Sequence, residues 1–389
     1  MKCKNPLIEA IRYGWQTLVS RPLYLVSLVL VPIGVTLCFI SLMDRGVATK
    51  VPTAIVDLDQ STLSRKVALS MSSSQMIDVI DKVESFHEAC RLVRDGKIYG
   101  FFLIPADFQK EAIGGGTPTL SYYCNISYFV PGTMVFKGFK TTAVTTTGAL
   151  VKTTLAGVGV GDDAAMSLIQ PVVVQQNGLN NPWMNYNYYL TNSFSPATLA
   201  LMIAIVAAFT IMHTVKRGVS RRWLELSGDS VLLAVVGMLL PQAIVATCVG
   251  WACQAIMFGF CHFPMNGPLW HMLLAMPLLV IATQAFAVIF CCILPNLRFA
   301  VSLCSLFSIL AFSIAAFSFP VPSMYPAVGI FSYVLPIRYY FEIYIDQALN
   351  GIPLYYSRFY FVGLLIFPLV ALIGLPRLRR HLMNPVYIP

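Results

Sequence analysis

Residues 22–43 read PLYLVSLVLVPIGVTLCFISLM, a run without an Asp, Glu, Lys or Arg. A helix rises about 1.5 Å per residue and a bilayer core is about 30 Å thick, so about 20 apolar residues cross it. The run is too long for the apolar core of a cleaved leader, and no A-x-A site follows Met43, so it reads as a retained anchor. Five more uncharged runs lie at 194–212, 231–260, 269–294, 299–319 and 359–376. A polar block, 44–193, separates the first run from the rest. The layout predicts an α-helical polytopic membrane protein with six transmembrane helices and an inserted extracytoplasmic α/β (α+β) domain. Its parts are an interfacial helix within 1–21, transmembrane helix one at 22–43, the inserted domain at 44–193, helices two to six within 194–376, and a tail at 377–389.

Charge supports this division. The chain is 57% hydrophobic and 11% charged, against about 25% charged in ordinary soluble domains. Residues 44–194 hold 12 of the 26 basic and 12 of the 17 acidic side chains, so the net +9 comes from the rest. Those bases flank the apolar runs, which indicates membrane topology and lipid contact rather than nucleic-acid binding. Lys2, Lys4, Arg12, Arg21, Lys216, Arg217, Arg221, Arg222, Arg298, Arg377, Arg379 and Arg380 fall on one side; Arg338 and Arg358 fall on the other. Both termini are therefore expected in the cytoplasm and the polar block outside.

Residues 5–20 read as an amphipathic helix started by Asn5-Pro6, with Leu7, Ile8, Ile11, Trp15 and Leu18 on one face. Within the inserted block, strands are expected at 53–57, 97–104, 119–124 and 172–176. Helices are expected from Thr62 after a Ser61 cap, at 84–95, 107–112, 132–156 and 164–170, the last two as a stalk. Pro320, Pro322, Pro326 and Pro336 break the stretch near 320–340, which suits a re-entrant hairpin. Of the ten Cys, only Cys90 and Cys124 fall in the inserted block, where an external location would allow a disulfide. The five His are scattered, so no metal site is expected.

Signals for catalysis are absent. There is no G-x-x-x-x-G-K-[ST] phosphate loop, no G-x-G-x-x-G around Gly157, Gly159 and Gly161, and no G-x-S-x-G elbow. Asp162-Asp163 reads as a solvated turn. The apolar runs carry Gln242, Gln254 and Gln284 but no ionisable pair, so these amides read as interhelical hydrogen bonds. Coupling to a proton gradient ordinarily needs an intramembrane group that changes charge. Energy for transport is therefore expected from outside the membrane, with sodium coupling through backbone carbonyls the open alternative. The loop KRGVSRRWLE, 216–225, is basic and short. It reads either as topology charge against lipid or as a docking helix with Arg221, Arg222 and Trp223 as anchors.

Several stretches carry a resemblance to a known family. They are AIVDLDQSTLS (54–64), ACRLVRDGKIYGFFLIPADF (89–108), NPWMNY (181–186), and FSFP with Met324, Pro326, Leu335-Pro336 and Tyr339. In this order, they resemble the membrane subunit of an ABC-2 type transporter, in the exporter branch with a large domain after the first span. The resemblance implies a non-catalytic permease in a bacterial inner membrane that exports a lipophilic or amphiphilic substrate. It binds no cofactor itself; ATP sits on cytoplasmic ABC ATPase subunits. A second permease, copy or paralogue, completes the pathway, with a periplasmic adaptor and outer-membrane channel as further partners. It also implies a coupling surface of Arg12, Trp15, Lys216, Arg217, Arg221, Arg222, Trp223 and Glu225. The pathway and hairpin would use Pro196, Phe319, Pro320, Met324, Pro326, Pro336 and Tyr339, with spans two and five lining the dimer interface. The chain departs from the family where Lys216-Arg217-Gly218-Val219 replaces an acidic E-x-E before G-T, and where Ala316 replaces a Gly. The alternative is a surface receptor or assembly factor working through the inserted domain.

Overall fold

The structure, a computed structural model, describes residues 5–384 apart from 45, 47, 48, 115, 158, 171–179, 182–184 and 316–319. In chain order the elements are α1 Pro6–Val19, span one Pro22–Leu42, β1 Val51–Asp57, α2 Thr62–Ser72, β2 Ile77–Val83 and α3 Phe86–Arg94. Next come β3 Gly100–Ile104, α4 Phe108–Ile113, β4 Ser121–Cys124, α5 Phe129–Gly157 and α6 Asp162–Ile169. Then follow span two Tyr186–Lys216, α7 Ser220–Leu226, span three Val231–Phe260, span four Leu269–Ile293 and span five Leu297–Ile314. Last are α8 Pro326–Ser332, α9 Pro336–Ile343 and span six Leu354–Met383. The chain divides into two compact units, Arg45–Asn177 and the remainder.

All six expected spans are present, with shifted ends. Span two begins at Tyr186, not 194, because its polar first turns satisfy themselves. Asn192 Nδ2 donates to the Tyr188 carbonyl at 3.0 Å and Ser193 Oγ to that of Tyr189 at 2.7 Å. The inserted unit therefore ends well before 193. Span six runs through Arg377, Arg379 and Arg380 to Met383, because no helix-ending residue stands at 377. Pro32 lacks the N–H that the Leu28 carbonyl would accept, and span one widens into a π turn, Val26–Leu30, just before it.

Spans two and four form the centre of the membrane unit: 67% and 72% of their apolar windows are buried in this chain, against 17% for spans one and five. The amides behave as expected. Gln242 Nε2 donates to Thr210 Oγ1 at 3.1 Å, linking spans three and two. Gln284 Nε2 reaches the Leu239 carbonyl at 3.0 Å, and Gln254 Nε2 reaches the Tyr340 hydroxyl at 2.9 Å.

The other unit is a four-stranded sheet in the order β2-β1-β3-β4, parallel except for β4. α3 covers one face, where Ala54, Val56, Val83, Ile98 and Phe101 form a core. α5 covers the other: Phe139 lies 5.3 Å from Phe102 between ring centres, and Gly138 meets Ile77. The first part of α5 is thus core, with Met134, Val135 and Phe139 buried, while beyond Thr146 none of its described side chains is buried and α6 folds back on it with Lys152 facing Asp162 at 3.4 Å. The sequence reading missed β2. Thr53 pairs with Val79 and Ala54 with Asp81, so Ile80 is the extra residue of a bulge and stands half-exposed. That residue breaks the alternation by which a strand is recognised. The expected strand at 172–176 lies outside the described residues.

Cys90 and Cys124 do not pair; both are free thiols. Cys90 packs with the α3-side core, whereas Cys124 opposes Gly100, one residue out of phase with Phe101 and on the α5 side. The sheet lies between them, too thick a barrier for the short reach of a disulfide. Burial also pushes the Cys124 thiol up to about 11, away from the reactive thiolate.

Candidate functional site

The basic residues gather at one end of the membrane unit, and the geometry there starts with α1. Asn5 Oδ1 caps it by accepting from the Leu7 N–H at 3.1 Å. At about 100° per residue, α1 presents three faces. Ala10, Gly14 and Leu18 are buried, and a Cβ on Gly14 or Gly237 would collide with the other helix, so α1 crosses span three at backbone contact. Ile8, Trp15 and Val19 form an exposed apolar stripe. The sequence reading placed Leu18 on the stripe with Ile8 and Trp15; the structure turns it inward. Glu9, Arg12, Tyr13 and Gln16 make the third face and look across a pocket of about 430 Å³ at Val219, Arg222, Trp223 and Leu226.

α7 is held as firmly. Ser220 Oγ donates to the Leu382 carbonyl at 2.7 Å, and Arg221 Nε and a terminal guanidinium nitrogen donate to that of Met383 at 3.2 and 3.0 Å. These bonds satisfy carbonyls that the end of a helix leaves open. At the same end Arg21 donates to His213 Nε2 at 3.0 Å, and Arg377 to the Ile293 carbonyl at 3.3 Å. Two expectations change as a result. Trp223 cannot be a surface anchor, since it is wholly buried beneath α7. Arg221 is occupied within the chain. Arg12, Trp15, Lys216, Arg217, Arg222 and Glu225 remain exposed. Arg222 and Arg217 both act on the Tyr13 phenol, whose pKa burial nevertheless holds above the ordinary value.

The opposite end has a different character. α8 and α9 each start on a proline, where the missing N–H costs nothing. Of the expected hairpin residues, Pro336 is buried, Tyr339 and Met324 are half-buried, and Pro320 and Pro326 are exposed. Pro196 is buried within span two. Phe319 lies outside the described residues. The sequence reading overlooked a buried polar network here. Arg338 faces Glu342 at 3.7 Å, donates to Ser332 Oγ at 2.8 Å and stacks on the Tyr333 ring at 4.2 Å. Gln347 Nε2 donates to Ser357 Oγ at 2.6 Å, which donates to Asp346 Oδ2 at 2.9 Å. The i, i+4 spacing of Arg338 and Glu342 is the signal that could have found it.

Asp57 to Ser64, which carries the family resemblance in the sheet unit, is a closed structural turn. The Asp57 carboxylate accepts from the Asp59 and Gln60 N–H groups at 3.1 and 2.9 Å and from Ser64 Oγ at 2.7 Å. Ser61 Oγ caps α2 by accepting from the Ser64 N–H at 3.0 Å. Among the described residues no His/Cys/Asp/Glu group could hold a metal ion.

Six apolar spans define a multi-pass helical membrane protein. A model of the family described as "ABC-2 family transporter protein" matches residues 22–375, and the chain belongs to that family. Membrane subunits of this kind are in general non-catalytic and associate with ABC ATPases. No curated protein and no solved structure matches the chain.

Proposed function

We propose that this chain is the permease subunit of an ATP-driven exporter for a lipophilic or amphiphilic substrate, with hydrolysis on separate ATPase subunits at its basic end. The observation that carries this reading is the construction of that end. Lys216, Arg217, Arg222 and Arg12 are exposed on α1, α7 and the tip of span two, and those elements are clamped to spans three and six. A partner docked there gains leverage on the spans without contacting them. Such a partner shifts the balance between inward and outward states by its different affinity for each. On this reading both termini are cytoplasmic and Arg45–Asn177 lies outside. A second permease meets spans one and five, whose apolar faces this chain leaves uncovered; span two, expected at that interface, is occupied as the core.

The test is co-purification. The chain alone should hydrolyse no ATP, and co-expression with its ATPase should give a complex with substrate-stimulated turnover. Replacing Lys216, Arg217 and Arg222 together by Ala should release the ATPase from a folded permease. A complex that persists unchanged would refute the docking assignment, and pumping by the chain alone would refute the division of labour.

A further inference from the structure

Two of the bases assigned above to ATPase docking, Arg12 and Arg222, also line the pocket between α1 and α7, and they share it with further donors. Its lining offers the Arg12 and Arg222 guanidinium groups, the Tyr13 hydroxyl and the Gln16 amide, against the single carboxylate of Glu9. Neither guanidinium makes an ion pair or hydrogen bond among the described residues. The Trp223 indole N–H has no acceptor among the described residues, but its side chain is wholly enclosed and stands behind the lining, so the ligand's contacts fall to the guanidinium, hydroxyl and amide groups. At about 430 Å³ the space is within the range of small-ligand sites.

We propose that this pocket binds a phosphate group. Phosphate is a compact anion with several acceptor oxygens, and planar guanidinium forks engage it in pairs. On α1 the pocket-lining face adjoins the exposed stripe of Ile8, Trp15 and Val19, the kind of face by which an amphipathic helix lies at the level of lipid headgroups. The phosphate can therefore come from an anionic headgroup or from a free phosphoryl compound. Both meet the same donors, and the binding does not require an ATPase.

The experiment uses the full chain, purified without its ATPase, in nanodiscs of phosphatidylcholine or of phosphatidylcholine mixed with phosphatidylglycerol. Native mass spectrometry counts retained phosphatidylglycerol, and tryptophan fluorescence follows titration with inorganic phosphate in the phosphatidylcholine discs. Retained phosphatidylglycerol, or a saturable fluorescence change with phosphate, supports the site and tells which source fills it. The double variant Arg12→Gln/Arg222→Gln should weaken whichever binding is seen by at least about tenfold, since each charge-assisted contact it removes is strong. Gln16→Glu, at an exposed position that leaves the packing intact, should weaken it in the same direction. Absence of both signals in the unaltered chain, or binding unaffected by these variants, overturns the proposal. No ATPase is present, so failure of the docking assignment leaves the result untouched.

Discussion

The two ends of the membrane unit handle charge in opposite ways. At the α1–α7 end the arginines stand on the surface, and the fold is held by glycine-mediated backbone contact and by bonds to helix-end carbonyls. At the α8–α9 end Arg338 is buried beside the half-buried Glu342, and the charges themselves hold the hairpin in place. The same residue type makes solvated contacts at one end and a buried one at the other. What separates the two roles is whether water is available to solvate the group after its partner is lost.

That contrast can be broken by mutation. Arg338→Met should have the largest effect, about 3 kcal/mol, because it removes a buried guanidinium and leaves the half-buried Glu342 carboxylate without its cation. Thermal unfolding in detergent checks it, and the pair Arg338→Met/Glu342→Gln should recover much of the loss. A single variant as stable as the parent would put Arg338 in the surface class. Gly237→Val should cost about 1–3 kcal/mol by forcing α1 off span three, seen as a lowered midpoint and faster proteolysis near the N-terminus. Ser61→Ala, in the sheet unit, should cost about 1 kcal/mol through loss of the α2 cap. Arg221→Ala should cost the least, about 0.5–1 kcal/mol, since its bonds are exposed. If hydrogen exchange at 382–384 did not rise in that variant, the link from α7 to span six would carry no constraint.

Much of this architecture is legible in the chain because hydrocarbon imposes a simple rule: length and the absence of charge locate spans one to six. The Ser61 cap and the Asn5-Pro6 start were readable because capping is local chemistry. β2 was not readable, since the bulge at Ile80 disrupts its period. The burial of Trp223 was hidden too. Its neighbours Arg221, Arg222 and Glu225 look like a solvent-facing run, and only the fold of α7 onto α1 shows which residue of that run points inward. The Cys90–Cys124 pairing failed because sheet phase decides it, and phase depends on the register of β4 rather than on compartment.

The bonds from Ser220 and Arg221 to Leu382 and Met383 join residues that are 162 positions apart. With α1 locked across span three, they make the stretch before span one, the link between spans two and three, and the far tip of span six a single mechanical handle. A force applied at any of these three places is shared by all, so on the proposed reading an ATPase would need to grip the chain at only one point to turn several helices together.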